Sequence, residues 1–237
     1  MDEIKFVIIM ATYRRLSGKT PDYLKRCLQS INNQTYKNFD LVVVSDKYEP
    51  HKELEDILEN ILEKENIILL NNYDVEREKI KDKMKRWCVA GASSMNMGLE
   101  YARKNDYKYY CHIDDDDYWE VNHLQNFYNI FSRYPNCIFS CSQSNYNGNR
   151  LPSYRCAISE NNFLPNEAKL IHSSACFRID IIQFNYHTAS EDKDVLEPSD
   201  ANMWKNINKF LKEHNNYSSI YIPELTCIHD VEGEARK

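Results

Sequence analysis

Apolar positions in the first half of the chain alternate between two periods. Lys5 to Ala11 is a nearly continuous apolar run, the pattern of a strand buried on both faces of a parallel sheet. From about Asp22, the residues Leu24, Cys27, Leu28 and Ile31 recur at helical spacing and predict an amphipathic helix. Leu41 to Val44 predicts a second buried strand, and Leu54, Ile57, Leu58, Ile61 and Leu62 the apolar stripe of a second helix. Ile67 to Leu70 reads as a third strand, Ala92 to Arg103 as a helix and Tyr109 to Ile113 as a fourth strand. This order of strands and helices, joined by short connections, predicts an α/β fold: a mostly parallel, Rossmann-like central sheet with helices on both faces.

The second half is less regular. Leu124, Phe127, Tyr128 and Phe131 share one helical face, and residues 137–141 and 170–178 read as strands. Between those strands, Ser142 to Pro165 is rich in Ser, Asn and Pro and reads as a long loop, a length usually reserved for function. A last amphipathic helix begins near Asp200 and carries Met203, Trp204, Ile207, Phe210 and Leu211. Asp74 to Trp87 interleaves acids and bases and reads as a solvated helix or surface insertion. No repeat or low-complexity linker divides the chain, so residues 1–237 are expected to form one domain.

Composition narrows the function classes. With 237 residues, 42% hydrophobic and 28% charged, the chain has enough apolar material for a core and is not of the disordered class. Its longest apolar run falls far short of the roughly 18 residues of a membrane span, and no secretory signal pattern opens it. A net charge of −6 argues against a nucleic-acid partner. The eight cysteines include no C-x-x-C pair and are expected to be buried, reduced thiols, which points to a cytoplasmic location.

In an open parallel sheet, ligands bind outside the carboxyl ends of the strands. Those ends carry Thr12-Tyr13-Arg14-Arg15, Ser45-Asp46 and the run Asp114-Asp115-Asp116-Asp117. Four successive carboxylates after a buried strand repel one another unless a cation offsets them, and oxygen-only ligands suit hard ions such as magnesium, manganese or calcium. There is no G-x-x-x-x-G-K-[ST] loop, no G-x-G-x-x-G turn and no G-x-S-x-G elbow. A nucleotide would therefore be held through a metal on its phosphates.

The stretch Ile8 to Arg15, then Leu24, then Ser30 to Asp46 resembles the opening of glycosyltransferase family 2. Asn96 to Ala102 followed by Tyr109 to Trp119 resembles the family's second block, whose D-x-D-D motif is matched by Asp114, Asp116 and Asp117. Pro198 to Trp204 resembles its E-D-x-x-x-W segment. The resemblance implies an A-type nucleotide-diphospho-sugar transferase fold, with a nucleotide-sugar half at about 1–117 and an acceptor half at about 118–237. It implies donor-nucleotide contacts from Thr12, Tyr13, Arg14, Asp46, Asn96, Asp114 and Asp115. It also implies a Mn2+ or Mg2+ ion on Asp116 and His229, and Asp200 as catalytic base.

The implied activity is inverting, hexosyltransferase-like transfer from a nucleotide-diphosphate sugar, most often a UDP-sugar in this family, to a carbohydrate or other hydroxyl acceptor. Three positions depart from the family pattern: Lys47-Tyr48 replaces a glycine-bearing pair, Met95 stands for an arginine, and Ser199 for a glutamate. Two other readings stay open on residues alone. One is a sugar nucleotidyltransferase; the other is a catalytically silent metal- or sugar-binding module.

Overall fold

Strand β1 (Phe6–Thr12) lies inside the sheet, between β2 (Phe39–Asp46) and β4 (Tyr109–His112) and parallel to both. β3 (Ile67–Asn72) extends the parallel set on the far side of β2. Because successive side chains on a strand point to opposite faces, β1 feeds two cores at once. Phe6, Ile8 and Met10 pack against α1 (Thr20–Asn32), α2 (His51–Ile61) and α5 (His123–Arg133). Val7 and Ile9 pack on the other face against α4 (Ala92–Lys104), where Met203, Trp204 and Ile207 of α6 (Ser199–Glu213) join the same core. That double burial is why the strand reads as unbroken apolar sequence.

The computed structural model describes residues 3–61, 66–75, 78–152, 165, 170–188 and 197–229. Beyond β4 the sheet continues through β8 (Ala175–Arg178), β6 (Cys137–Tyr146), β9 (Ser218–His229) and the short β5 (Tyr118–Trp119). β4 with β8, β8 with β6 and β5 with β9 are antiparallel, whereas the long β6–β9 ladder is parallel. The longer ladders are the parallel ones, and the whole is the expected α/β domain with helices on both faces. The seven described cysteines are free and buried.

One expectation needs correction. Ser142 to Leu151 is not loop: β6 runs on to Tyr146 and turns through Asn147 and Gly148, both at positive φ, into β7 (Asn149–Leu151). Small hydroxyls disguise this strand. Ser140 Oγ donates to the Ile220 carbonyl and Ser144 Oγ to the Leu151 carbonyl, both at 2.9 Å, so polar residues are buried at no hydrogen-bond cost. Residues 153–164 of the expected loop lie outside the described residues. The strand expected over 170–178 begins only at Ala175, after a 3-10 turn at His172–Ser174. Within the charged segment, a short helix, α3 (Lys83–Cys88), is exposed except at its end.

α4 approaches β1 closely enough to exclude any side chain at Gly98. A Cβ there would sit 2.4 Å from Ile9 Cγ2, a branch methyl of a fully buried residue. Gly98→Ala is therefore expected to destabilise the protein by about 1–3 kcal/mol, the usual result of overpacking. Urea unfolding measures it, and an unchanged midpoint would mean that α4 slides freely on the sheet.

Candidate active site

β1, β2 and β4 end together at one edge of the sheet. The Asp114–Asp117 run turns there, its backbone closed by the Asp117 N–H on the Asp114 carbonyl at 3.1 Å, so successive carboxylates aim at different neighbours. Asp114 Oδ1 meets His112 Nε2 at 2.7 Å, two residues back on the same strand face. Asp115 accepts from Thr12 Oγ1 and from Arg15 Nη2, each at 2.6 Å. Asp116 accepts from Arg15 Nη2 at 3.1 Å, and its carbonyl from Arg26 Nη2 at 2.6 Å. Asp117 accepts from Ser173 Oγ and from His229 Nδ1, the latter at 2.6 Å. Four segments far apart in sequence, carrying Thr12 and Arg15, Arg26, Ser173 and His229, thus converge on four consecutive residues.

The electrostatics divide the run. Burial opposes the charge on Asp114, but the His112 imidazole outweighs it and holds that carboxyl well below the usual range. Asp116 is pushed up to about 7, by burial first and then by Asp115. His229 is buried enough to disfavour its charge, yet the hydrogen bond to Asp117 raises it to about 9. Asp116 therefore carries the unrelieved part of the negative charge, and its side chain keeps one-third of its surface open.

Asp200, the second residue of α6, enters from the other face. Its carboxylate accepts from the Ala201 N–H at 2.8 Å. Burial raises it to about 6, and Asp114 and His112 also act on it, so Asp200 and the aspartate run share one electrostatic environment. Behind them, His172 stacks on His112 with ring centroids 3.4 Å apart, and its Nε2 meets the Tyr186 hydroxyl at 2.6 Å. Tyr186 in turn meets Tyr110 at 2.8 Å. Burial and then His112 hold His172 neutral, well below its ordinary value. Asp46 closes β2, where Ser94 Oγ donates to it at 2.5 Å and receives from Asn72 at 3.0 Å.

Sequence reasoning brought together Thr12, Asp114, Asp115, Asp116, Asp200 and His229. Two other residues have different partners here. Arg14 donates to Glu53 at 2.7 Å, and both amide groups of Asn96 are spent on the Tyr186 backbone, at 2.7 and 2.8 Å. Tyr13 is half-exposed, 5.1 Å from the Arg15 guanidinium. Trp119 and Trp204 are buried packing residues. The sequence pattern put Arg15 on this rim and pointed to the neighbourhood of His172 without a partner for either, and it missed Arg26, His112 and Ser173. His112 was detectable, since it lies on the Asp114 face of β4; nothing in the sequence marked Ser173. With Arg14 on Glu53 and Arg15 on the aspartates, the loop after β1 is not an open basic cradle for a triphosphate.

Two donor sets could hold a divalent cation. Asp116 offers carboxylate oxygens that fit Mn2+ or Mg2+, whereas His229, which Asp117 favours in its protonated form, would offer an imidazole nitrogen only after losing that proton. His112, Asp114 and His172 bring one ligand atom each within 4.8 Å of one another. There the fit is poor. A histidine lone pair lies in its ring plane, and rings stacked at 19° do not aim two such pairs at one point.

A parallel sheet whose carboxyl edge carries a cation-hungry aspartate run, with a lone carboxylate facing it, is the layout of the A-type nucleotide-sugar transferases. The chain belongs to glycosyl transferase family 2, whose model matches residues 7–185. It is 44% identical over 241 residues, 99% of this chain and 97% of the relative, to an uncharacterized glycosyltransferase of Acanthamoeba polyphaga mimivirus. It is 25% identical over 133 residues to the amylovoran biosynthesis glycosyltransferase AmsB of Erwinia amylovora, covering 56% of this chain and 38% of that one.

Among solved structures it resembles S. aureus TarS 1-349 in complex with UDP-GlcNAc, with a TM-score of 0.68 and 15% identity over 98% of this chain and 60% of that one. The mannosyltransferase PcManGT of Pyrobaculum calidifontis, in complex with GDP-Man and Mn2+, gives 0.62 and 15% over 97% and 58%. At such identity the likeness is one of fold, and the chain spans about three-fifths of those solved chains.

The Asp117–His229 pair makes a direct prediction. Its stabilisation is full below about pH 6.5, the ordinary histidine value, and is lost as pH rises through about 9. By NMR titration His229 is expected to lose its proton near pH 9. In Asp117→Asn it is expected to titrate well below 9, because burial is then opposed only by the charges of Asp114 and Asp116. A wild-type value near 6.5 would break the assignment.

Proposed function

We propose that this protein is an inverting, metal-dependent glycosyltransferase that moves a sugar from a UDP-sugar to an acceptor hydroxyl, with Asp200 as general base. The observation that carries the reading is the meeting of Asp200, from α6, with Asp114 and His112, from β4, in one buried environment. Thr12, Asp46, Asp114 and Asp115 line the donor side, and Asp46 offers a carboxylate to the ring N–H of uracil. TarS in complex with UDP-GlcNAc supports the choice of a uridine donor, and PcManGT with Mn2+ supports the metal. Arg14 and Asn96 support the donor loop indirectly, through Glu53 and the Tyr186 backbone.

The chemistry follows from charge. Glycosyl transfer passes through an oxocarbenium-like state, so negative charge grows on the departing diphosphate while the acceptor hydroxyl must lose a proton. A divalent ion on Asp116 and His229 supplies Lewis acidity to that diphosphate when bound. Asp200 takes the hydroxyl proton. Among the described residues Asp200 is the carboxylate on the acceptor side, and acting there as base it gives a single displacement that inverts the anomeric centre.

The metal role is tested on Asp116→Asn. That variant is expected to keep its melting temperature, because it removes a repelling charge, and to lose manganese-dependent UDP binding by calorimetry. Unchanged manganese dependence would take the ion away from Asp116. The base is tested on Asp200→Asn, which keeps volume and helix-end polarity but cannot accept the proton. Transfer is expected to fall by on the order of 10²–10⁴-fold, with manganese–UDP affinity intact. Wild-type transfer is expected to decline as pH drops through about 6, where Asp200 becomes protonated. Near-normal transfer by Asp200→Asn would send the search to Glu191, Asp192 and Asp194, which lie outside the described residues.

A further inference from the structure

The charged segment between β3 and α4 has no part in the donor site, and it does not look like an ordinary solvated surface. Among the described residues the exposed large apolar side chains are Tyr13, Leu16, Tyr73, Met84, Trp87 and Val121. Tyr13 and Leu16 belong to the connection after β1, and Tyr73, Met84 and Trp87 to the connection after β3. Both connections leave parallel strands at their carboxyl ends, so five of these six residues lie on the edge that carries Asp114–Asp117. Isolated exposed apolar residues need no explanation, but a concentration of them on one rim does.

Unlike the acidic run on the same edge, the end of this segment is locally basic, although Lys79 is paired with Asp74. Residues 79–87 hold Lys79, Lys81, Lys83, Lys85 and Arg86 against the single acid Asp82, in a protein of net charge −6. Lys81 and Lys83 are exposed and make no ion pair among the described residues. Met84 and Trp87 are one helical turn apart on α3, 63% and 52% exposed, and so share a face among these cations. The Arg86 guanidinium holds the Ile80 carbonyl at 2.7 Å, which folds the basic turn back against the helix. At its other end α3 is anchored to the acceptor side: Ser199 Oγ, one residue before Asp200, donates to the Cys88 carbonyl at 3.1 Å.

An exposed tryptophan and methionine set among lysines is the chemistry of the boundary between acyl chains and anionic headgroups. We infer that this rim docks on an anionic lipid surface and so turns the site, with Asp200, toward a membrane-borne acceptor. Attachment is peripheral, as no described helix is long and apolar enough to cross a membrane. Only the acceptor clause rests on the proposed transfer reaction. Vesicle binding and UDP binding therefore fail separately.

The probe is sedimentation with vesicles of phosphatidylcholine, alone or mixed with phosphatidylglycerol, together with tryptophan emission. Trp119 and Trp204 are buried, so any blue shift on vesicle addition reports Trp87. The full chain is expected to partition at least about tenfold more onto the anionic vesicles, less in high salt, with a blue shift. The double variant Lys81→Glu, Lys83→Glu is expected to lose about tenfold of that partition, and Trp87→Ala to lose the shift, both with unchanged melting temperature and UDP affinity. Equal partition onto both vesicles, or binding undiminished in the charge-reversed variant, overturns the inference. So does a Trp87 shift that follows protein concentration without vesicles, which would assign the rim to a second copy of the chain. Retention on a soluble anionic polymer without vesicle binding would overturn it as well.

Discussion

Four adjacent carboxylates at the end of a buried strand cannot all keep their charge unless something arrives to neutralise them. Most of the architecture on the carboxyl edge of this sheet answers that requirement. Thr12 and Arg15 come from β1 and its loop, Arg26 from α1, Ser173 from the turn before β8, and His229 from β9. Arg15 reaches both Asp115 and Asp116, Ser173 touches Asp114 and Asp117, and the Asp114 carboxylate is left to His112 on its own strand. The neutralisation stops short at Asp116, the member left half-charged and partly open, and this is where a cation finds its opportunity.

The fold was largely legible because its parallel half obeys a simple rule: strands buried on both faces are unbroken apolar runs, and the helices between them carry a stripe. β1, β2 and β4 needed nothing else. The second half of β6, beyond Cys141, escaped because its buried positions are polar, and Ser144 is accommodated by donating to the Leu151 carbonyl of β7, a solution available only once that strand exists. At the site, the aspartates were visible as a run and Asp200 through its helix. Ser173 was invisible and the partners of His172 were too, since a lone serine or histidine gives no periodic signal and meets these partners only by being folded against β4. Arg14 and Arg15 show the remaining limit. Adjacent and alike in sequence, they point to different carboxylates, and only the position of α2, which brings Glu53 to Arg14, separates them.

The same crowding sets the tolerance of the site. Asp114 is paired with an imidazole that is itself stacked on another, and that second ring leans on two tyrosines. Such a chain is stiff because its members are linked by hydrogen bonds and ring stacking, with His112 Nδ1 the buried atom left without a partner, so a substitution at Tyr186 or His172 is felt at Asp114 although neither touches it. Asn96 holds the same chain from below through the Tyr186 backbone. The donor side is thus braced from a distance by groups with no chemistry of their own.

β9 gives the molecule a timetable. Residues 218–229 run beside β6, pair with β5 and carry His229 to Asp117 across 112 positions of sequence. The parallel half has every strand it needs once β4 exists, but the aspartate run gains its last neutralising partner only when β9 has closed the far end of the sheet. Closing so long a loop is slow compared with local helix and neighbouring-strand formation. The acidic edge is therefore expected to be completed after the parallel strands that position it, because its last partner comes from the final strand of the sheet.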